Sequence, residues 1–244
     1  MIMMRHVQPT QRRLRAAFTL VEMLVVLLII AILLGILLPT IAGAKIRAKA
    51  GLAKLDCAAI ATAITQYHTD YNHYPVAKGQ GANTLGGDLT FNPPGGIGGG
   101  PSNSDAMIIL SALEELGGSK PNAGHSRNIS KRRYLDDKLV ESVEKPGMGP
   151  DGVFRDPFGN PFVITVDLNG NDHCFDLFYA DPAVSGPDLA DIGQNGMMKT
   201  IIGAQPAYVL PKNVMVWSPG PDREINITLP AKQGVNNDNI IGWQ

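Results

Sequence analysis

Arg12-Arg13-Leu14-Arg15-Ala16-Ala17-Phe18-Thr19-Leu20-Val21-Glu22 leads directly into an apolar run that ends at Pro39. From Phe18 to Leu38 the chain has 21 residues, and Glu22 is the one ionisable group among them. A helix of ~20 apolar residues, rising ~1.5 Å per residue, matches a bilayer hydrocarbon core of ~30 Å. The first expectation is therefore a membrane span over residues 18–38.

Glu22 is the anomaly in that span. A carboxylate at the bilayer centre costs roughly 2.5 to 3.5 kcal/mol on insertion scales, whereas each Leu, Ile, Val or Phe contributes roughly −0.3 to −0.6 kcal/mol. The many apolar residues outweigh the single acid, so the span inserts. Two readings of Glu22 stand side by side on chemistry alone. Either it sits near the interface and reaches water, or it has a cationic partner in an assembled state, since ionisable groups at membrane depth usually pair.

Ala17-Phe18-Thr19-Leu20-Val21-Glu22, with its basic leader and apolar sequel, resembles the class III signal of type IV pilins and of type II secretion pseudopilins. In that family a membrane-embedded prepilin peptidase cuts before the Phe and methylates the new amine. The resemblance implies a cut between Ala17 and Phe18. It makes Glu22 the fifth mature residue, pairing with the amino terminus of a neighbouring subunit. It also places Pro39 where many family members carry a helix-kinking proline. The chain departs from the family at Ala17, where Gly is usual.

An ordinary secretory signal fits less well, because its apolar core of ~7 to 15 residues precedes a small-x-small cleavage site, and here the Ala-Ala pair comes first. Arg5, Arg12, Arg13 and Arg15 precede the span without acids, which favours a cytoplasmic amino terminus. Lys45, Arg47, Lys49 and Lys54 after the span weaken that bias, and the leader resemblance decides for the amino terminus inside and the head outside, in the periplasm. The later lysines either lie against anionic headgroups or form a solvated helix face. Removing the four leader arginines from 21 basic residues leaves 17 against 22 acidic ones, a net charge of −5. That balance speaks against nucleic acid as a partner.

Beyond Pro39, Ile46, Leu52, Leu55, Ala59, Ile60, Ala63, Ile64, Tyr67 and Tyr71 recur at spacings near three and four, which predicts a continuing helix with one apolar stripe. Asn72-His73-Tyr74-Pro75 ends it. The organisation expected is a leader over 1–17, a membrane and filament-core helix over 18–38, an amphipathic half over 39–74 and a globular head over 75–244. This is the α+β arrangement of the pilin fold, a long helix packed on a small antiparallel sheet. Tyr67-x-x-Asp70-Tyr71-x-x-Tyr74-Pro75 is also similar to the end of the long helix in major pseudopilins.

In the head, residues 77–103 read as a long loop, and its glycine run at 95–100 has no strand before it, which speaks against a dinucleotide site. Ser104-Asp105 are expected to cap a helix running to Leu116, stopped by Gly117-Gly118. Phe162 to Val166 and Cys174 to Tyr179 flank Asn169-Gly170-Asn171, which predicts an antiparallel hairpin. A third strand is expected over Val214 to Trp217. Asp156-Pro157-Phe158-Gly159-Asn160-Pro161-Phe162 is similar to a structural signature of major pseudopilins and is expected to lock the entry to the sheet.

Trp217-Ser218-Pro219-Gly220-Pro221-Asp222 and Asn236-Asn237-Asp238-Asn239-Ile240-Ile241-Gly242-Trp243 resemble the calcium-binding terminal loops of major pseudopilins. The resemblance implies Ser218, Asp222 and Asp238 as side-chain ligands, supported by Asn237 or Asn239 and by backbone carbonyls. Ca²⁺ takes 6 to 8 oxygens in flexible geometry, which such a loop can supply. The alternative is a plain turn closed by Asx hydrogen bonds. The acidic loop from Asp181 to Asp191 is a further possible contributor. Cys57 and Cys174 either form a disulfide outside the cytoplasm or stay as two buried thiols. No H-E-x-x-H, G-x-S-x-G or P-loop occurs, so no enzyme is expected.

The sequence thus leads to the expectation of a nonenzymatic pseudopilin of a type II secretion-like pseudopilus in the bacterial inner membrane. Its expected partners are further copies of itself, other pseudopilins, prepilin peptidase, the inner-membrane assembly platform and the lipid bilayer, with Ca²⁺ as possible cofactor. A type IV pilin serving adhesion, motility or DNA uptake is the near alternative. A membrane-anchored periplasmic binding or sensing protein is the alternative of a different class.

Overall fold

The computed structural model describes residues 19–93, 99–136, 139–186 and 192–244, with the side chain of Pro39 outside the description. The chain divides into two compact units, one up to Lys45 and one from Ile46 to Gln244. Helix α1, Leu20–Tyr71, supplies all the regular structure described in the first unit and enters the second. The expected cleavage residues Ala17 and Phe18 lie outside the described residues.

In the first unit α1 is apolar on every side, and its large side chains are exposed, from Ile30 at 45% to Leu20 at 81%. The helix continues through Pro39, whose ring removes one backbone donor. Thr40 Oγ1 donates to the Leu37 carbonyl at 2.7 Å.

In the second unit the rest of the chain in order is β1 Leu89–Phe91, α2 Ser104–Leu110, β2 Gly147–Met148, β3 Phe154–Arg155, β4 Val163–Val166, α3 Pro182–Ser185, β5 Met198–Ile202, β6 Gln205–Val209, β7 Val214–Ser218 and β8 Ile240–Ile241. The main sheet is antiparallel with order β1-β4-β7-β8, in register Leu89↔Val166, Val163↔Trp217 and Trp217↔Ile241. Alternation along these strands serves two cores. Ile164, Val166, Val214 and Val216 join Cys57, Ile60, Ile64 and Tyr67 of α1 in one cluster. Val163, Met215 and Trp217 meet Phe178, Tyr179 and Leu210 in the other. The sheet is therefore covered on both faces, which explains why β4 is buried at every position. The α+β expectation of a long N-terminal helix and an antiparallel sheet holds.

The buried stripe of α1 is Ala53, Cys57, Ile60, Ala63, Ile64 and Tyr67. Ile46, Leu52, Leu55 and Ala59, expected on the same stripe, are exposed instead, because only a narrower arc meets the sheet. Asn72 ends the helix in a left-handed conformation, φ 53°, its amide bonding the His68 carbonyl at 2.8 Å. In the last turns of α1, Tyr67 donates to the Arg127 carbonyl at 2.6 Å, and Asp70 accepts from Tyr134 at 2.7 Å and from Arg132 at 2.9 Å. These bonds tie the Tyr67 to Tyr74 segment to the 127–134 loop. At the other end of the chain, a side chain at Gly242 would run into Cys57, so glycine permits the close approach of the terminal segment to α1.

Three sequence expectations need correction. Residues 77–103 are not wholly loop, since β1 lies within them; three residues are too short a run for periodicity to show. Helix α2 stops at Leu110, six residues early, because Ala112 turns left-handed at φ 57° and Leu113 donates back to Ile108. Ser104 lies inside it rather than capping it. The preceding Asn103 spends its amide on the Phe154 and Phe162 carbonyls at 3.0 and 2.9 Å.

The third correction concerns the hairpin. Cys174 to Tyr179 do not pair with β4, whose neighbours are β1 and β7. Buried carboxylates take the backbone donors that a strand would need: Asp88 accepts the Phe175 amide at 2.7 Å, and Asp176 accepts those of Phe178 and Tyr179 at 2.9 Å. Asp176 also accepts from Thr165 and Trp217, at 2.8 and 3.2 Å, and so fastens the turn over the sheet. Cys57 and Cys174 are separate buried thiols, each in a different core cluster, and no disulfide joins them.

Candidate assembly terminus and terminal loop

Glu22 stands in the first turn of α1. Its Oε2 accepts from the Thr19 amide and the Thr19 hydroxyl, both at 2.8 Å, while the Glu22 amide donates to Thr19 Oγ1 at 3.2 Å. This is a reciprocal capping box, in which Thr19 is the cap and Glu22 the third helical residue. It holds the carboxylate beside the unpaired amides at the positive end of the helix dipole. To the two sequence readings, interface or ionic partner, the geometry adds a third contact: the acid is held by its own chain. The Thr-x-x-Glu spacing carried that signal.

The terminal loop is built from three segments. Asp156 is fully buried; its Oδ1 accepts the amides of Phe158 and Asn160 at 2.8 Å, and its Oδ2 accepts the Ser218 hydroxyl. Asn160 donates to the Gly220 carbonyl at 2.7 Å, which joins the Asp156–Asn160 turn to the end of β7. Gly220, at φ +83°, lies so close to the Asp238 carbonyl that no Cβ would fit. Asn236 closes the segment by donating to the Asn226 and Leu229 carbonyls at 2.7 and 2.8 Å and accepting the Asn226 amide at 2.8 Å.

This scaffold brings Asp222 and Asp238 together. The Asp222 amide donates to Asp238 Oδ2 at 3.4 Å, and burial together with the Asp222 charge pushes the Asp238 carboxyl above its ordinary range. Asp238 Oδ1 and Asn239 Oδ1 are both buried without a hydrogen-bond partner. The Asp222 carboxylate accepts the Glu224 amide at 2.9 Å, and the two orphaned oxygens, on Asp238 and Asn239, are of the kind a hard cation takes. Ser218 is placed differently from the expectation: its hydroxyl is committed to Asp156 and accepts from the Gly220 amide at 3.3 Å, so it braces the turn. Asn237 is exposed. Asp181 of the second acidic loop caps α3 through the Ala183 amide at 2.7 Å, and residues 187–191 of that loop lie outside the described residues. Asp156 and Asn236 were not singled out as site residues from the sequence; the Asx turn spacing Asp-x-x-x-Asn was the available sign of the first.

The chain therefore carries a prepilin-type amino terminus on an α+β fold compatible with that of pilins. Residues 12–38 match the prokaryotic N-terminal methylation motif, a stretch that includes Ala17, Phe18 and Glu22. No curated protein and no solved structure matches the chain.

Proposed function

We propose that this chain is a nonenzymatic structural subunit of a pseudopilus, cut between Ala17 and Phe18 by prepilin peptidase and polymerised through α1. The observation that carries the reading is the methylation motif over residues 12–38 together with an apolar helix whose side chains have no cover of their own. Such a surface needs lipid before assembly and other copies after it. Cleavage creates an amine one residue before Thr19, and Glu22, already held in the first turn, is the acid that meets the amine of the adjoining subunit. The head, residues 75–244, forms the outer surface, and Asp222, Asp238 and Asn239 are the residues that would hold Ca²⁺. The inner-membrane position is supported by the prepilin-type motif with its apolar helix, and secretion is favoured over a pilus role by the resemblance of the terminal loop to major pseudopilins.

Electron microscopy of processed protein tests assembly. The wild type forms fibres and Glu22→Ala does not; equal fibres from both would sink the reading. A strain lacking the gene retains a normally secreted protein if the role is secretion, and loses surface fibres or adhesion if it is a pilus role. A membrane-anchored sensor would stay monomeric and unprocessed.

A further inference from the structure

The sheet face opposite α1 holds a second pair of acids without a basic partner. The β1–β4 register, Leu89↔Val166, continues by one step to set Asp88 opposite Asp167, and the Asp167 amide donates to the Asn213 carbonyl at 3.0 Å. Both aspartates are 1% exposed. Directly opposed residues have Cβ atoms ~5 Å apart, and like charges there repel. Among the described residues, no Lys, Arg or His forms an ion pair with either.

Asp167 already organises the loop that follows it. Its Oδ1 accepts the amides of Gly170 and Asn171 at 2.8 and 3.2 Å, and its Oδ2 that of Asp172 at 2.8 Å. Asp88 Oδ2 accepts the Phe175 amide on the far side of this loop, and its carboxylate lies beside the Leu168 and Asn169 amides. The other oxygen, Asp88 Oδ1, is buried with no hydrogen-bond partner. A buried carboxylate oxygen without a partner, in the neighbourhood of a second buried carboxylate, is a costly arrangement by itself.

We propose that Asp88 and Asp167, with oxygens of the 167–172 loop, form a second Ca²⁺ site, separate from the terminal loop. The two carboxylates neutralise one divalent hard cation, and Asp88 Oδ1 gains the ligand it lacks. Asn169 Oδ1 and Asn171 Oδ1, at alternate positions after Asp167, each accept one backbone amide, from Asn171 and His173 at 3.0 Å, and keep a lone pair for the 6 to 8 oxygens that calcium takes. The site fixes the Asp167–Phe175 segment onto the sheet edge.

The full chain in detergent, stripped with chelator and titrated with CaCl₂ by calorimetry, tests this. Asp88→Asn is expected to remove one equivalent of bound Ca²⁺ relative to the wild type, and Asp238→Asn to leave that equivalent in place. Loss of binding only in Asp238→Asn, with Asp88→Asn unchanged, overturns the second site; the reverse overturns the terminal one. Because Asp88→Asn changes a buried residue, hydrogen exchange of the unaltered chain gives a second readout. Saturating Ca²⁺ is expected to slow exchange at the amides of 168–175 at least tenfold, and an unchanged rate there contradicts the proposal.

Discussion

The two halves of α1 are one helix by hydrogen bonding and two different objects by burial. Over Leu20–Leu38 even Val26 is 45% exposed, whereas in the later half Cys57, Ile60, Ile64 and Tyr67 are 0% exposed. Helix formation is common to both, so propensity does not separate them. What separates them is the supply of a partner surface: the sheet covers an arc of the later half, and the earlier half depends on a non-aqueous surrounding. A long apolar helix thus has two ways to be stable, and the described head provides only one of them.

Substitutions that act on one half alone sharpen this contrast. Tyr67→Ala, which removes a buried ring and the bond to Arg127, is expected to lower head stability by about 3 to 5 kcal/mol, measured by denaturant unfolding in detergent. Leu28→Arg is expected to leave that unfolding curve unchanged and to cost about 3 to 4 kcal/mol of membrane insertion, seen as loss from the membrane fraction. A drop in head stability from Leu28→Arg would break the comparison. Asn236→Ala strands the Asn226 amide and two carbonyls and is expected to cost about 1 to 3 kcal/mol.

Smaller effects should come from the exposed side of the later half. Leu55→Ser, at a residue 67% exposed, should alter head stability by no more than about 0.5 kcal/mol while weakening packing between copies in a fibre. The Arg155 fork on Asp151, at 2.9 and 2.6 Å, holds that carboxyl below its ordinary range. Its stabilisation is complete above the unfolded carboxyl pKa and is lost as pH falls through the lower folded value. Solvent screening limits it to about 1 kcal/mol or less, so Asp151→Asn should flatten the acid limb of the stability profile only slightly.

The sequence made some of this readable. Composition alone marks the apolar run, and Asn72 to Pro75 mark the helix end, because these signals are local. Strand β7 was likewise legible from apolar clustering. The hairpin from Cys174 to Tyr179 was misread because Asp88, 87 residues away, captures the Phe175 amide; no local pattern encodes a distant carboxylate. The exposed face of Leu52 and Leu55 was misread for the same reason, since periodicity gives a stripe and only the sheet decides how wide an arc it covers. At the terminal loop, the Ser218 hydroxyl is taken by Asp156, 62 residues earlier, a partner that no local pattern gives.

The most direct test is the mass and amino-terminal sequence of the chain extracted from membranes of cells that contain a prepilin peptidase. The account predicts a chain that begins at Phe18, carries one methyl group on its amine and keeps Leu20–Leu38. A chain that begins at Met1, or one cut after the apolar run, would contradict it.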